Sequence, residues 1–296
     1  MKWVTFRDET NRLAMGVLSW DSTVVDVQRA ARDLGHPGCT EYRTVLDVLR
    51  DRDGVDKVAA LVNSIGDSTG PWRLPVADVK VTAPIPRPGK VLGVALNYYD
   101  FCTRGQLNPP TALKVFTKVS TAVIGPDERI GLPHGRKVTY EGELGVVIGK
   151  PGKDIRAADA LDYVAGYTIV NDYTANDFVK EDVQLTRGKN LDGFCPMGPA
   201  LVTKDEVFNP HSLSIVTTVN EFVRQESNTS QMIFKIEDII EFFSSFLTLE
   251  PGDVIATGTP AGTALQYDPP AFVQAGDTVS VTIAGLGTLT NHIVHM

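Results

Sequence analysis

In the stretch Tyr140-Glu141-Gly142-Glu143-Leu144-Gly145-Val146-Val147-Ile148-Gly149, two carboxylates stand one residue apart at the head of an apolar, β-branched run. Alternation along a strand would project Glu141 and Glu143 from one face, with Cβ atoms roughly 6 to 7 Å apart. Like charges that close repel, and a bound cation is the usual way to make the pair favourable. A solvated face of an edge strand is the competing explanation, and the pair alone does not choose between them. A third carboxylate, Asp172, follows Tyr167-Thr168-Ile169-Val170-Asn171, where a buried strand would deliver its last side chain. Joined to Glu141 and Glu143, it would complete an all-oxygen site with room for water or substrate, suited to Mg²⁺ or Mn²⁺ and not to zinc or copper. Taken alone, Asp172 is equally a helix-entry cap ahead of Ala175.

Three carboxylates and one divalent cation sum to a charge of about −1, so an anionic substrate would need further positive groups. Lys189, in Arg187-Gly188-Lys189, and Lys118, at the end of Val115-Phe116-Thr117, could supply them, although either could be an ordinary surface base. The turn Ala256-Thr257-Gly258-Thr259-Pro260-Ala261-Gly262 lacks the Gly-Lys-Ser/Thr ending of a phosphate loop. Its hydroxyls and backbone N–H groups could instead hold a carboxylate or an oxyanion. Candidate substrate contacts are Thr259, Arg187 and Asn97, the last opening a polar loop, with Gln231 and Tyr167 as further polar candidates that could equally be structural.

These residues need a scaffold. Trp3–Phe6 and Leu13–Leu18 read as strands, and Val24–Leu34, Tyr42–Arg50 and Val55–Val62 carry helical spacing. Residues 66 to 90 turn rich in Gly, Pro, Ser and Asp, which marks a boundary between a small N-terminal α/β domain, 1–75, and a larger one, 76–296. Beyond it, Lys90–Leu96, Val115–Lys118, Thr121–Gly125, Leu144–Gly149, Tyr163–Val170 and Leu213–Val219 read as strands. The loop Asn97–Gln106 has the length of a lid or binding loop. Helices are predicted at Ala175–Gln184 and Ile236–Phe246. Near the end, Pro251-Gly252-Asp253 and Ala275-Gly276-Asp277 each feed an apolar run, which points to a β-rich roll and not a wound parallel sheet.

The 296 residues are 43% hydrophobic and 22% charged, as in ordinary globular proteins, and 28 basic against 36 acidic residues give a net charge of −8. No basic block could track a phosphate backbone, so nucleic acid is not an expected partner. No apolar run reaches the roughly 18 to 20 residues that span a bilayer, and the start turns charged early, so a cytoplasmic protein without membrane association is expected. Cys39, Cys102 and Cys195 are scattered and suggest neither a disulfide framework nor a zinc site.

The segments Tyr140–Leu144, Val170–Asp172, Arg187–Lys189, Cys195–Pro199, Gln225–Ser230 and Thr257–Pro260, in this order and spacing, resemble the fumarylacetoacetate hydrolase family. The resemblance runs from about Lys90 to the C-terminus and leans toward acylpyruvases and 2-hydroxyhepta-2,4-diene-1,7-dioate isomerases. It implies an α+β, β-rich fold, a mixed β-sandwich roll with a small N-terminal domain, and a homodimer. It also implies Mg²⁺ or Mn²⁺ held by Glu141, Glu143 and Asp172, with Lys189 near the metal and Thr259 touching the carboxylate of a small acid. The family acts on 2-oxo and β-dicarbonyl acids through a metal-stabilised enolate.

One loop departs from the family pattern. Hydrolytic and decarboxylating relatives follow Asn97-Tyr98 with an Asp-His pair and a Glu three residues later, a dyad that resembles a water-activating base. Here those positions hold Phe101 and Arg104, neither of which can accept a proton. Phe101 would favour an aromatic or alkyl substrate tail, and Arg104 could pair with a second carboxylate. The reading is therefore an enzyme that tautomerises, decarboxylates or dehydrates a 2-oxo or β-dicarbonyl acid. The alternatives are a carbon–carbon hydrolase whose base is Lys189 or His36, and a non-catalytic ligand binder.

Overall fold

The computed structural model describes residues 1–19, 21–66 and 68–296. Among these residues a mixed sheet of twelve strands carries the site. Its middle runs Lys2–Arg7, Cys195–Thr203, Val164–Asn171, Gly142–Ile148, Val254–Ala256 and Val91–Ala95. A second sheet of five strands packs nearby: Phe222–Asn228, Ser214–Val219, Thr278–Ile283, Gly287–His295 and Arg129–Leu132. This is the expected α+β, β-rich sandwich roll.

All seven residues of Gly142–Ile148 are buried, as expected of a strand covered on both faces. One cover is the helix Ile236–Phe246, whose Ile236, Ile239, Ile240 and Phe243 are buried against Leu144, Val146 and Ile148. Each such side chain contributes roughly 1.5–3 kcal/mol of burial. The other cover includes the helices Val45–Arg50 and Gly54–Ile65, packed in one cluster with Val147 and Val170. Lys2 and Trp3 pair with Val202 and Leu201, so the sheet runs unbroken from the first strands to those bearing the carboxylates.

Several elements differ from expectation for local reasons. Val24–Leu34 divides into the strand Thr23–Asp26 and the helix Val27–Asp33, because the Asp26 side chain accepts the Arg29 N–H and caps the helix there. The loop Asn97–Gln106 contains a helix, Tyr99–Arg104. Residues Thr174–Ala175 pair with Val138–Thr139, so the following helix is only Asn176–Asp182. Thr121–Gly125 shrinks to a 3₁₀ turn and the short strand Val123–Ile124.

Candidate metal centre

Register builds the site. Gly142 pairs with Asn171 and Glu143 with Val170, and the ladder continues as the Asp172 N–H donates to the Glu141 carbonyl at 2.8 Å. Asn171 Oδ1 accepts the Glu141 N–H at 2.9 Å, which holds the two strand ends level. Oxygens of Glu141, Glu143 and Asp172 consequently lie within 4.8 Å of one another. Asp172 and Glu143 are buried, while Glu141 keeps 17% of its side chain exposed toward the pocket. Asp172 caps no helix.

Two ammonium groups meet these carboxylates. Lys189 Nζ lies 2.8 Å from Glu141 Oε2 and 2.5 Å from Asp172 Oδ2. Lys118 Nζ lies 2.6 Å from Asp172 Oδ1, makes a hydrogen bond to the Lys189 carbonyl, and is wholly buried. Burial, then the Asp172 charge, pushes the Glu143 carboxyl well above the usual range. Burial raises Glu141 as well, against the pull of Lys189. For Lys189 burial acts downward, but the charges of Asp172, Glu141 and Glu143 together outweigh it and hold the proton more tightly than usual.

The turn at Gly258 closes the cradle. Its N–H donates to Glu143 Oε2 at 2.8 Å with φ at +100°, and a Cβ there would fall 2.8 Å from the Asn97 Cβ, so only glycine fits. Thr259 Oγ1 donates to the Gly142 carbonyl at 2.9 Å and accepts from Gln225 Nε2 at 2.8 Å. Gln225 Oε1 in turn accepts the Gly142 N–H at 3.0 Å. This amide, which joins strand head to turn, was not among the residues expected from sequence.

A pocket of about 430 Å³ opens beside the triad, lined by Glu141, Glu143, Lys189, Thr174 and Thr259 on one side and by Phe101 on another. Other expected residues lie elsewhere. Tyr167 is buried in the core with Ile236 and Ile239, and Gln231 is exposed on a 3₁₀ turn. Arg187 pairs with Glu181 and Asp182 and stacks on Phe178. Arg104 lies over the Tyr267 ring at 4.5 Å and donates to the Gln266 carbonyl, so it does not face the pocket. Asn97 is buried as a staple, donating to the Thr257 carbonyl at 2.8 Å and accepting the Phe234 N–H. His36 contacts Ser64 in the N-terminal segment and is not part of the pocket wall.

The donor set fits a hard divalent cation: three carboxylates, no imidazole or thiol, and like charges whose burial is costly without a counter-ion. Carboxylates on paired strand ends, beside a lysine and a glycine turn, form a candidate divalent-metal centre on a β-rich roll. The chain belongs to the fumarylacetoacetate hydrolase family, matching the model "Fumarylacetoacetate (FAA) hydrolase C-terminal" over residues 90–294. It is 44% identical over 223 residues to a mitochondrial oxaloacetate tautomerase of Rattus norvegicus, covering 75% of this chain and 71% of that one. A 2-hydroxyhepta-2,4-diene-1,7-dioate isomerase from Mycobacterium marinum superposes with TM-score 0.75 at 35% identity, covering 100% and 98% of the two chains. A maleylpyruvate hydrolase from Sphingobium sp. SYK-6, solved with manganese(II) and pyruvate, gives TM-score 0.80 at 26% identity, covering 100% and 99%. No helix of the described residues is long and apolar enough to cross a membrane.

Proposed function

We propose that this protein is a divalent-metal-dependent tautomerase that interconverts the keto and enol forms of a 2-oxo or β-dicarbonyl acid. The observation that carries the reading is the composition of the pocket wall. Its only ionisable side chains, among the described residues, are Glu141, Glu143 and Lys189. Glu141, Glu143 and Asp172 hold Mg²⁺ or Mn²⁺, which when bound supplies Lewis-acid polarisation of a keto oxygen. The name of the rat relative, a tautomerase, and of the mycobacterial neighbour, an isomerase, agree with this choice.

Keto–enol exchange needs one proton moved between carbon and oxygen and no water. Lys189 stands where such a proton is handled, with its ammonium against Glu141 and 4.8 Å from the Phe116 ring. In the enol-to-keto direction the Lys189 ammonium would give a proton to carbon and regain one from the enol oxygen, so that no net proton is consumed. Lys118, buried behind Asp172 and bonded to the Lys189 carbonyl, fixes both partners without touching the pocket. Thr259 is oriented by Gln225 on the same wall.

Carbon–carbon hydrolysis needs a group that takes a proton from water. The half-buried Phe101 occupies the wall instead, and no histidine lines it. A reducing compartment such as the cytoplasm suits the three buried free thiols, and exposed Phe222, Val223 and Phe246 offer surface for a homodimer.

The test follows the ultraviolet absorbance of enol acylpyruvates, with Mg²⁺ or Mn²⁺ added. Accelerated loss of enol absorbance without release of two acids or carbon dioxide is expected. Release of two acids would establish the hydrolase reading, and metal binding with no conversion of any acid would establish the ligand-binder reading.

A further inference from the structure

The pocket has two unlike walls. Around the carboxylates and Lys189 the lining is apolar: Leu96, Phe101, Leu107 and Leu265, with Phe116 under the Lys189 ammonium and Leu185 one turn before Lys189. Phe116 owes its place to Gly93: a Cβ on that residue would fall 2.2 Å from the ring, so the ring lies on bare backbone. Leu107 and Leu265 extend this surface to the mouth, where they are 47% and 56% exposed.

Arginines close by are committed elsewhere. Arg104 is turned onto Tyr267, Arg224 stacks on the same ring at 5.2 Å, and Arg187 and Arg136 pair with Glu181. Two lining amides are likewise used. Gln266 donates to the Phe101 carbonyl at 2.9 Å and accepts the Gly262 N–H at 2.7 Å. Asn176 Nδ2 is turned to the carbonyls of Lys137 and Thr174.

Charge points the same way. Three carboxylates against the Lys118 and Lys189 ammoniums leave one negative charge, and a divalent cation turns the balance to one positive. A single substrate carboxylate neutralises that balance. A second one would have to sit among leucine and phenylalanine side chains with no cation to meet it and only a neutral hydroxyl such as that of Thr263 within the lining, and such burial of an unpaired charge is strongly disfavoured.

We propose that this pocket selects 2-oxo acids bearing one carboxylate and an uncharged apolar tail, and discriminates against diacids such as oxaloacetate and the heptadienedioate for which relatives are named. The proposal rests on the metal-dependent 2-oxo acid reading above and specifies the substrate class of that site. Phe101 and Leu265 are its selecting residues, linked by Gln266, which follows Leu265 in the chain and donates to the Phe101 carbonyl.

Two inert probes with the same oxalyl head and different tails test it. N-benzyloxamate and N-oxalylglycine are titrated calorimetrically into the Mg²⁺-loaded protein, wild type and Leu265→Arg. Wild type is expected to bind N-benzyloxamate at least tenfold more tightly, and the exposed Leu265→Arg change is expected to cut that ratio at least threefold. Equal or tighter binding of N-oxalylglycine, no binding of either probe, or an unchanged ratio in Leu265→Arg would each overturn the proposal. Conversion of enol phenylpyruvate is measured on the same sample. Selective probe binding with no conversion of any 2-oxo acid overturns the tautomerase reading and leaves the selection intact, so the two failures are distinguishable.

Discussion

The two walls of the pocket are held in place by opposite means. On the acid wall, strand pairing fixes Glu141, Glu143 and Asp172, and their charges are answered by Lys189, Lys118 and the Gly258 N–H. On the facing wall, the helix Tyr99–Arg104 is fastened from outside. Asp100 accepts the Ala261 N–H and the Ser227 hydroxyl, Gln266 grips the Phe101 carbonyl, and Arg104 rests on Tyr267. A wall built on central strands has little freedom to vary, whereas a short helix latched at its surface can change its pocket-facing residue without disturbing the sheet. On the proposed function, the first wall would bring metal and oxo acid together, and the second would select the acid.

The largest effect separating the walls is expected at Glu143. Glu143→Ala should weaken Mn²⁺ binding by roughly 100-fold or more and reduce conversion to background. Metal content that survives this change would break the assignment of the acid wall. Lys189→Met comes next, with conversion falling roughly 10²- to 10⁴-fold as the proton carrier is lost. The metal-free protein should also lose about 3–5 kcal/mol in denaturant unfolding, because Asp172 and Glu141 lose a buried partner. Mn²⁺ affinity should stay equal or rise in that variant, and a fall would place Lys189 in the metal's support and not in proton transfer.

The pH dependence sharpens the same wall. Glu143 in the folded protein holds its proton above the unfolded value of about 4.3, so between those two pH values the native state binds more protons. Stability of the metal-free protein therefore falls as pH rises through that window. A divalent cation offsets the ionised carboxylates, so the rise in Tm on adding Mg²⁺ should be larger at pH 8 than at pH 5. A constant rise would show that Glu143 does not gain its charge on folding-linked titration. The smallest effects belong to the facing wall. Phe101→Ala should leave Mn²⁺ affinity within about twofold, while weakening N-benzyloxamate by roughly tenfold, or about 1.4 kcal/mol. Arg104→Ala should change neither, and a loss of acid binding there would restore it as a carboxylate partner.

Much of the acid wall was legible because its signals are local. Two glutamates at period two and an aspartate ending an apolar run are properties of single strands. Strand parity also corrects one expectation. Tyr167 lies five residues before Asp172, an odd separation, so alternation sends the two side chains to opposite faces, and Tyr167 goes into the core. Gln225 gave no comparable signal. It stands in the polar run Arg224-Gln225-Glu226-Ser227-Asn228, and its burial comes from the second sheet docking on the strand head, a contact between distant segments. Arg187 and Arg104 were misplaced for a similar reason, since which of several nearby partners captures a long cation depends on tertiary neighbours such as Phe178 and Tyr267. The helix in Asn97–Gln106 was hidden by its polarity, which serves latches outside the pocket.

The unbroken sheet has a consequence for how the molecule opens. Cys195–Thr203 is hydrogen-bonded on one side to Lys2 and Trp3 and on the other to the strand that ends at Asp172. The first strand and the carboxylate-bearing strands belong to one sheet, so an opening that parts Lys2 and Trp3 from Cys195–Thr203 uncovers the neighbour of the strand that ends at Asn171. The N-terminal segment thereby acts as a selvedge on this sheet: it lines no part of the pocket, yet it covers the outer side of Cys195–Thr203, the strand next to the one that delivers Asp172.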